Sequence, residues 1–307
     1  MNITAHQAYG LCIHTEIACP ELPLHPQPAA IPDVTIRLLP PVPSVSETLE
    51  AGYFEVHSRI FRLAVAGVGS YLVEEGSRIS IEPVEGTPLE EVRLFLMGSA
   101  MGALLYQRGL FPLHGSAVET RWGAMIFVGD QGVGKSTLAA EFHQRGYRLL
   151  SDDVCAVTTG AEKLQVLPAL AQVRLCPDAY ERLGQPPGGR FHVDKFVVPL
   201  NDGYCAQPVP LTGIHILKNR DEGEPQFTLL RGFDRIQGLL ENLYRPEYLK
   251  GQSTQSHLMR LAGLIAEMTS IAEISRRRDT EKIGSLVDYL ESAWAEHFDS
   301  NQGLERG

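Results

Sequence analysis

The 307-residue chain has no apolar run approaching the roughly 18 residues that a membrane span requires. Its start, Met1-Asn2-Ile3-Thr4-Ala5-His6, lacks the basic stretch followed by an apolar run that marks a secretory signal. None of the five cysteines (Cys12, Cys19, Cys155, Cys176, Cys205) forms a C-x-x-C pair, which argues against a zinc knuckle and against a redox dithiol. No two histidines stand four residues apart, so a helical histidine metal site has no support. Basic residues are in deficit, 27 against 37 acids for a net charge of −10, whereas a phosphate polymer is bound by an excess of Lys and Arg. These absences lead us to expect a cytoplasmic protein with reduced thiols and neither a membrane nor a nucleic acid as partner.

With 44 % hydrophobic and 21 % charged residues, the chain can bury a proper core, as one large domain or two ordinary ones. The charge is uneven. Residues 1–110 carry a net −6, while residues 111–230 and 231–307 carry −2 each.

The acidic part is β-rich. Apolar and polar residues alternate over Asp33–Leu38, Tyr53–His57, Ile60–Val65 and Arg78–Ile81, with prolines and glycines between these runs. Pro88 then opens a helix with Glu90 and Glu91 in its first turn, and Gly109 stops it. From Phe111 strands alternate with helices. Ala117–Thr120 pairs with the apolar run Ala124–Val128 through an Arg121-Trp122-Gly123 turn, Ser136–Arg145 is helical, and Tyr147–Leu150 is apolar again. Further strands are expected at Gln165–Leu167, Gln172–Leu175, Phe196–Pro199, Gly213–Leu217 and Gln226–Leu230. The last seventy residues read as mostly helical (Arg235–Leu243, Gln255–Met268, Thr280–Phe298), with a β-branched stretch at Thr269–Ile274 and a frayed tail. The pattern divides the chain into a β-rich module (1–87), a connecting helix (88–110), an α/β unit with a helical C-terminal part (111–298) and a tail (299–307).

Gly129-Asp130-Gln131-Gly132-Val133-Gly134-Lys135-Ser136 matches G-x-x-x-x-G-K-[ST] at every fixed position, with an apolar strand before it and a helix continuing through Thr137 after it. Its glycines let backbone N–H groups wrap phosphate oxygens, and the helix start offers its positive end to the same anion. Lys135 reaches the terminal phosphates and the Ser136 hydroxyl can bind Mg²⁺. Nucleoside triphosphate binding follows.

Ser151-Asp152-Asp153 comes next. A ten-residue helix rises about 15 Å and a four-residue strand returns about 13 Å. The end of the second strand therefore lands beside the phosphate loop. Of the two carboxylates, one can support the metal and the other can accept the proton of an attacking hydroxyl. Spacing alone does not apportion them. His114, on its own, is more simply an ordinary packed residue.

Leu113-His114-Gly115-Ser116, the loop Gly129–Ser136 and Arg145-Gly146-Tyr147-Arg148-Leu149-Leu150-Ser151-Asp152-Asp153 together resemble the C-terminal kinase domain of HPr kinase/phosphorylase in order and spacing. Ala8-Tyr9-Gly10-Leu11, Pro20-Glu21-Leu22-Pro23, Val173-Arg174-Leu175-Cys176-Pro177-Asp178 and Asn242-Leu243-Tyr244-Arg245-Pro246-Glu247-Tyr248 resemble a subgroup, the kinases of lasso peptide biosynthesis that phosphorylate the C-terminal Ser of a precursor. The resemblance implies an α/β (α+β overall) fold with a P-loop core. It implies a serine kinase using ATP and Mg²⁺ on a ribosomally made peptide, with a homo-oligomer left open. It places His114 in the active site, makes Asp153 the general base and gives Asp152 to the metal or to substrate orientation.

One block departs from the family. HPr kinases carry Glu-Gly-Arg-Gly, linked to metal binding and to the phosphorolytic reverse reaction, where this chain reads Gly184-Gln185-Pro186-Pro187-Gly188-Gly189-Arg190. The phosphorylase reaction and HPr as substrate are therefore not expected. Arg190 and Lys195 either face the phosphates or belong to a solvated loop, and Arg276-Arg277-Arg278 either meets an anion or is a solvated face. The alternatives to a peptide kinase are an HPr-type protein or small-metabolite kinase and a non-catalytic nucleotide-binding regulator.

Overall fold

The computed structural model describes residues 3–40, 53–57, 59–158, 163–184, 190–192, 194–200, 202–249, 255–277 and 283–300. The fold is α/β (α+β overall), built from two seven-stranded sheets and a three-stranded one. No helix among these residues is long and apolar enough to cross a membrane.

The first sheet contains β1 (Thr4–Ala8), β2 (Leu11–Thr15), β3 (Val34–Leu38), β4 (Phe54–His57), β5 (Ile60–Val65), β6 (Gly69–Glu74) and β7 (Arg78–Pro83), in the order β1-β2-β3-β7-β6-β5-β4. Strands β1, β2 and β6 were not expected. Leu11-Cys12-Ile13-His14-Thr15 is buried at four of five positions and so shows no alternation to read.

The helix after Pro88 is continuous but changes pitch. It runs α1 (Leu89–Phe95), a π-helical turn (Leu96–Ala100) and α2 (Met101–Gln107). Gly98 and Gly102 face Tyr244, and a Cβ on Gly102 would lie 2.8 Å from that ring.

The second sheet holds the phosphate loop. It comprises β8 (Phe111–Thr120), β9 (Gly123–Gly129), β10 (Arg148–Val157), β11 (Gln165–Leu167), β15 (Val209–Arg220), β16 (Gln226–Leu229) and β17 (Ser270–Arg277), in the order β11-β10-β8-β9-β15-β17-β16. It curls until β11 also pairs with the start of β15. The third sheet is β12 (Gln172–Leu175), β14 (Lys195–Pro199) and β13 (Arg190–His192). Helices α3 (Lys135–Gln144), α4 (Pro177–Arg182), α5 (Phe233–Glu241), α6 (Gln255–Met268) and α7 (Ile283–Trp294) complete the chain.

Four sequence expectations change. Leu113-His114-Gly115-Ser116 lies inside β8, not before a strand, and Asp152-Asp153 lies in the middle of β10, not at a strand end. All of the run Thr269–Ile274 but its first residue belongs to β17, which pairs parallel with β15, so the C-terminal part supplies a strand to the sheet as well as helices. Asp299 is tied down, accepting from Trp122 Nε1 and Arg121 at 2.7 Å each. Residues 301–307 lie outside the described residues.

Ala124–Val128 reads as an uninterrupted apolar run because both faces of β9 are covered. On one face Ile126 and Val128 join a core that continues through Leu104 and Val92 into Ile13, Ile36 and Phe61 of the first sheet. On the other, Met125 and Phe127 pack with Leu138, Phe142, Leu290 and Trp294 of α3 and α7.

His215 on β15 is fully buried in this second core, with ring neighbours Phe127, Phe227 and Trp294. Burial first, then the nearby His297, pulls its pKa down to about 3. The unfolded chain takes up this proton near pH 6.5, and the folded chain only near 3. Stability should therefore fall as pH drops through that window, by up to about 1.4 kcal/mol per pH unit from this residue. In denaturant titrations from pH 7 to 4, His215→Phe should show a shallower decline than the parent; equal slopes would refute this.

Candidate functional site

The phosphate loop fills the turn between β9 and α3, where Gly129, Gly132 and Gly134 take φ of 136°, 78° and 100°. Those values are open to glycine and costly for residues with a Cβ. Val133 turns inward into the second core, and its carbonyl accepts from Arg276 Nη2 at 2.6 Å. A Cβ on Gly134 would sit 2.7 Å from that same guanidinium nitrogen. Arg276, at the end of β17, is buried and braces the loop from behind. Of the two readings open for Arg276–Arg278, this one differs from both: Arg276 binds a backbone carbonyl, Arg277 is exposed, and Arg278 lies outside the described residues.

Lys135 folds back along the loop and donates to the carbonyls of Gly129 at 2.8 Å and Asp130 at 3.1 Å. Its pKa is lowered by burial first and then by the charge of Lys195. Lys195 is half-buried and lines the same cavity, so it faces the loop. Ser136 and Thr137 are half-buried on the first turn of α3, and Asp130, Gln131 and Gly132 are exposed. The strand residue Arg190 has no described side chain, and residues 185–189 lie outside the described part.

The acids reach the loop through register. Asp153 stands opposite Gly115, and Gly115 opposite Val128, the residue before Gly129. Gly115 permits this close stacking, because a Cβ there would lie 2.5 Å from the Phe127 carbonyl oxygen. Successive strand residues normally face opposite sides, yet Asp152 and Asp153 both line the cavity. The backbone of Asp153 resolves this by taking φ of 79°, uncommon outside glycine. The register of β10 also shifts between Leu149 and Ser151, and Ser151 Oγ donates to the Val154 carbonyl at 2.6 Å.

Their surroundings differ. Asp152 is buried, with Oδ1 accepting from Ser116 Oγ at 2.6 Å and Oδ2 from the Arg174 amide at 2.9 Å. Asp153 keeps 34 % side-chain exposure, and its carboxylate lies 3.4 Å from His114 Nδ1. That nitrogen donates to the Asp153 carbonyl at 3.1 Å. His114 is anchored in turn by its amide, which donates to the Asn242 carbonyl at 2.9 Å. Its pKa is lowered by burial first and by Lys135 second, against the opposing pull of Asp153.

A cavity of about 830 Å³ extends from Gly129–Gln131 past the acids to Tyr9, in the turn between β1 and β2, and the π-helical turn at Met97–Ser99. Arg174, Lys195 and Arg245 line it as cations. Arg93 and Glu21, paired at 3.0 Å and nearly buried, form part of its far wall. The Tyr9 hydroxyl is pushed up in pKa by burial, then by Tyr244 and Asp153. The structure therefore brings Lys135, Asp152, Asp153, His114 and Lys195 together. Reading residues singly gave no role to Ser116, Arg174 or Tyr9, and offered Arg276 only as part of a basic run that either meets an anion or is solvated. The four come from separate segments, which is why no local pattern joins them.

No protein-family model matches the chain. Segments of it are similar to curated proteins called HPr kinase/phosphorylase. The similarity is 27 % identity over 136 residues in Lactobacillus gasseri (39 % of this chain, 43 % of that protein). It is 33 % over 103 residues in Lacticaseibacillus casei (30 % and 32 %) and 35 % over 101 residues in Limosilactobacillus reuteri (30 % and 30 %). The chain thus matches less than half the length of these relatives. Among solved structures, the Hpr(Ser) kinase/phosphatase from Coxiella burnetii aligns with 14 % identity and a TM-score of 0.32, covering 64 % of this chain and 99 % of that one. That likeness is too loose to carry an argument.

The geometry at His114 generates a direct check. Removing the Lys135 charge removes a cause of the lowered imidazole pKa, so Lys135→Met should raise it. NMR titration of the His114 ring in parent and variant measures the difference; a lower or unchanged value in the variant would contradict the arrangement.

Proposed function

We propose that the chain is an ATP- and Mg²⁺-dependent serine kinase acting on a ribosomally made peptide. The C-terminal Ser of a lasso peptide precursor is the acceptor that the sequence resemblance suggests. The observation that supports this reading best is the shared cavity, in which a half-exposed carboxylate, Asp153, lies level with the start of the phosphate loop. The relatives named HPr kinase/phosphorylase support a kinase-type activity in the matched segment.

The donor set fits Mg²⁺. Ser136 and Asp152 offer hard oxygens, and each Asp152 oxygen keeps a second lone pair beside its hydrogen bond. The described residues contain no group of three His, Cys, Asp or Glu that would cage a metal. Mg²⁺ typically takes one or two protein carboxylates and completes its shell with water and phosphate oxygens. When bound, it would neutralise charge on the β- and γ-phosphate oxygens.

In the step itself, the peptide Ser hydroxyl gives its proton to the Asp153 carboxylate and forms the new O–P bond to the γ-phosphorus. The bond from that phosphorus to the β-bridging oxygen breaks, and ADP leaves. Lys135 leaves its two loop carbonyls for the phosphates and offsets the charge spreading over their oxygens. His114 holds Asp153 in its turned conformation through the 3.1 Å bond to the carbonyl. Asp152 fixes β10 to β8 and β12, so that the base stays in place. The wall from Tyr9 to Arg245 leaves room for an extended peptide beyond the reacting Ser.

Asp153→Asn should lower phosphate transfer from γ-labelled ATP to a Ser-ended precursor peptide by about 10²- to 10⁴-fold, the usual contribution of a general base. Lys135→Ala should weaken ATP binding by about tenfold or more, as expected for a lost charge-assisted hydrogen bond. Full activity in Asp153→Asn would remove the base assignment. Labelling of HPr but not of the peptide would reassign the acceptor, and ATP binding without any labelled acceptor would favour the regulator.

A further inference from the structure

The cavity wall nearest the first sheet carries a hydroxyl that bonds to no described residue. Tyr9 and Gly10 form the two-residue turn between β1 and β2, where Ala8 pairs with Leu11. Both take positive φ, 54° and 70°, as in the type I′ turns that favour Asn, Asp or Gly. A bulky side chain is a rare occupant of that conformation, and such outliers cluster at functional sites. The turn is held from the other side. The Tyr9 amide donates to the Pro168 carbonyl at 2.6 Å, which pins the hairpin to the segment between β11 and β12.

The hydroxyl of a buried tyrosine usually finds a partner. Tyr71 and Tyr106 follow the rule, donating to the carbonyls of Val92 at 2.9 Å and Tyr244 at 2.6 Å. Tyr9 is only 3 % exposed, yet among the described residues its hydroxyl makes no hydrogen bond. Nor is it one of the unpartnered polar atoms sealed from solvent. Its opening is therefore the cavity that Tyr9 lines. Burial, Tyr244 and Asp153 push its pKa up, so at neutral pH it is protonated and able to donate. Of the groups charged at that pH, Asp153 acts on it most strongly. The Tyr244 ring, 6.0 Å from that of His114, belongs to the same wall. A carboxylate or phosphate oxygen at Tyr9 would be repelled by Asp153, and the phosphates have Lys135 at the loop. A neutral oxygen is the fitting partner, and a peptide offers one at every amide.

We propose that Tyr9 binds the acceptor, its hydroxyl donating to the main-chain carbonyl of the residue that precedes the phosphorylated Ser. The inference rests on the peptide-kinase reading above. That carbonyl belongs to an amide whether the Ser is internal or C-terminal, so the contact is uncharged and independent of side-chain identity. It gives the first sheet a direct part in the reaction, because the strained turn carries its tip to the end of the cavity where Asp153 waits.

The test compares Tyr9→Phe with the parent on a Ser-ended precursor peptide and on its depsipeptide, in which an ester replaces the amide before the Ser. Phe keeps the ring, and loss of an unbonded hydroxyl should leave the melting temperature unchanged or higher. The variant should lower kcat/KM for the peptide by about three- to tenfold, the range of one neutral hydrogen bond, while calorimetric ADP affinity stays unchanged. An ester carbonyl is the weaker acceptor, so the depsipeptide should cost the parent more than it costs the variant. The acid limb of kcat/KM against pH should not move. An unchanged kcat/KM, or equal losses on the depsipeptide, would overturn the contact, and a lower melting temperature would show the hydroxyl bonded within the protein instead. An acid limb shifted to higher pH in the variant would also overturn it, because the hydroxyl would then be stabilising the Asp153 carboxylate. Failure of the parent to phosphorylate any Ser peptide would sink the kinase reading itself, and the role of Tyr9 with it.

Discussion

A carboxylate removed from water costs several kcal/mol unless its oxygens are hydrogen-bonded, and the whole site is arranged around satisfying that demand at Asp152. One oxygen takes the Ser116 hydroxyl from β8 and the other takes the Arg174 amide from β12. Three strands from two sheets therefore meet on one side chain. Once β10 is fixed in this register, Asp153 has no freedom to slide, and its level relative to Gly129 is set by the ladder through Gly115.

Two neighbouring acids thus serve different ends because their surroundings differ. The first is enclosed and accepts one hydrogen bond on each oxygen. The second is turned out of the pleat by a left-handed backbone conformation and left half in solvent beside an imidazole. A non-glycine residue in that conformation stores strain of order 1–3 kcal/mol, which persists only where its surroundings over-determine it. Here Ser151 and His114 hold the backbone that follows the turned Cα, by bonds to the Val154 and Asp153 carbonyls. Asp153→Gly would relieve the strain and discard the carboxylate together.

The phosphate loop was legible because its chemistry is local: glycines, a lysine and a hydroxyl within eight residues, flanked by an apolar strand and a helix. The acid pair was legible for the same reason, although its position inside a long strand was not, since Val154–Val157 simply continues an apolar run whose pairing partner is distant. Arg276 was opaque. A short basic run is usually solvated, and only the sheet order reveals that its first residue ends beneath a loop 143 positions earlier in the chain. Tyr9 and Tyr244 meet across the cavity by the same long-range logic, which periodicity cannot show. In the first sheet, β3, β4, β5 and β7 were legible from alternation, whereas β1, β2 and β6 were not. Strand β2 is covered on both faces, and β6 alternates in burial although its sequence, Gly69-Ser70-Tyr71-Leu72-Val73-Glu74, hides it.

The π-helical turn and the two glycines against Tyr244 belong to a core that runs unbroken from Ile13 to Ile126. That continuity makes the first sheet a poor cassette. Exchanging it for another would strip the apolar backing from the helix that forms the cavity's far wall. Change in what the cavity holds therefore has a narrow route: it must proceed by substitutions on the cavity lining, one wall residue at a time, over a framework that stays whole.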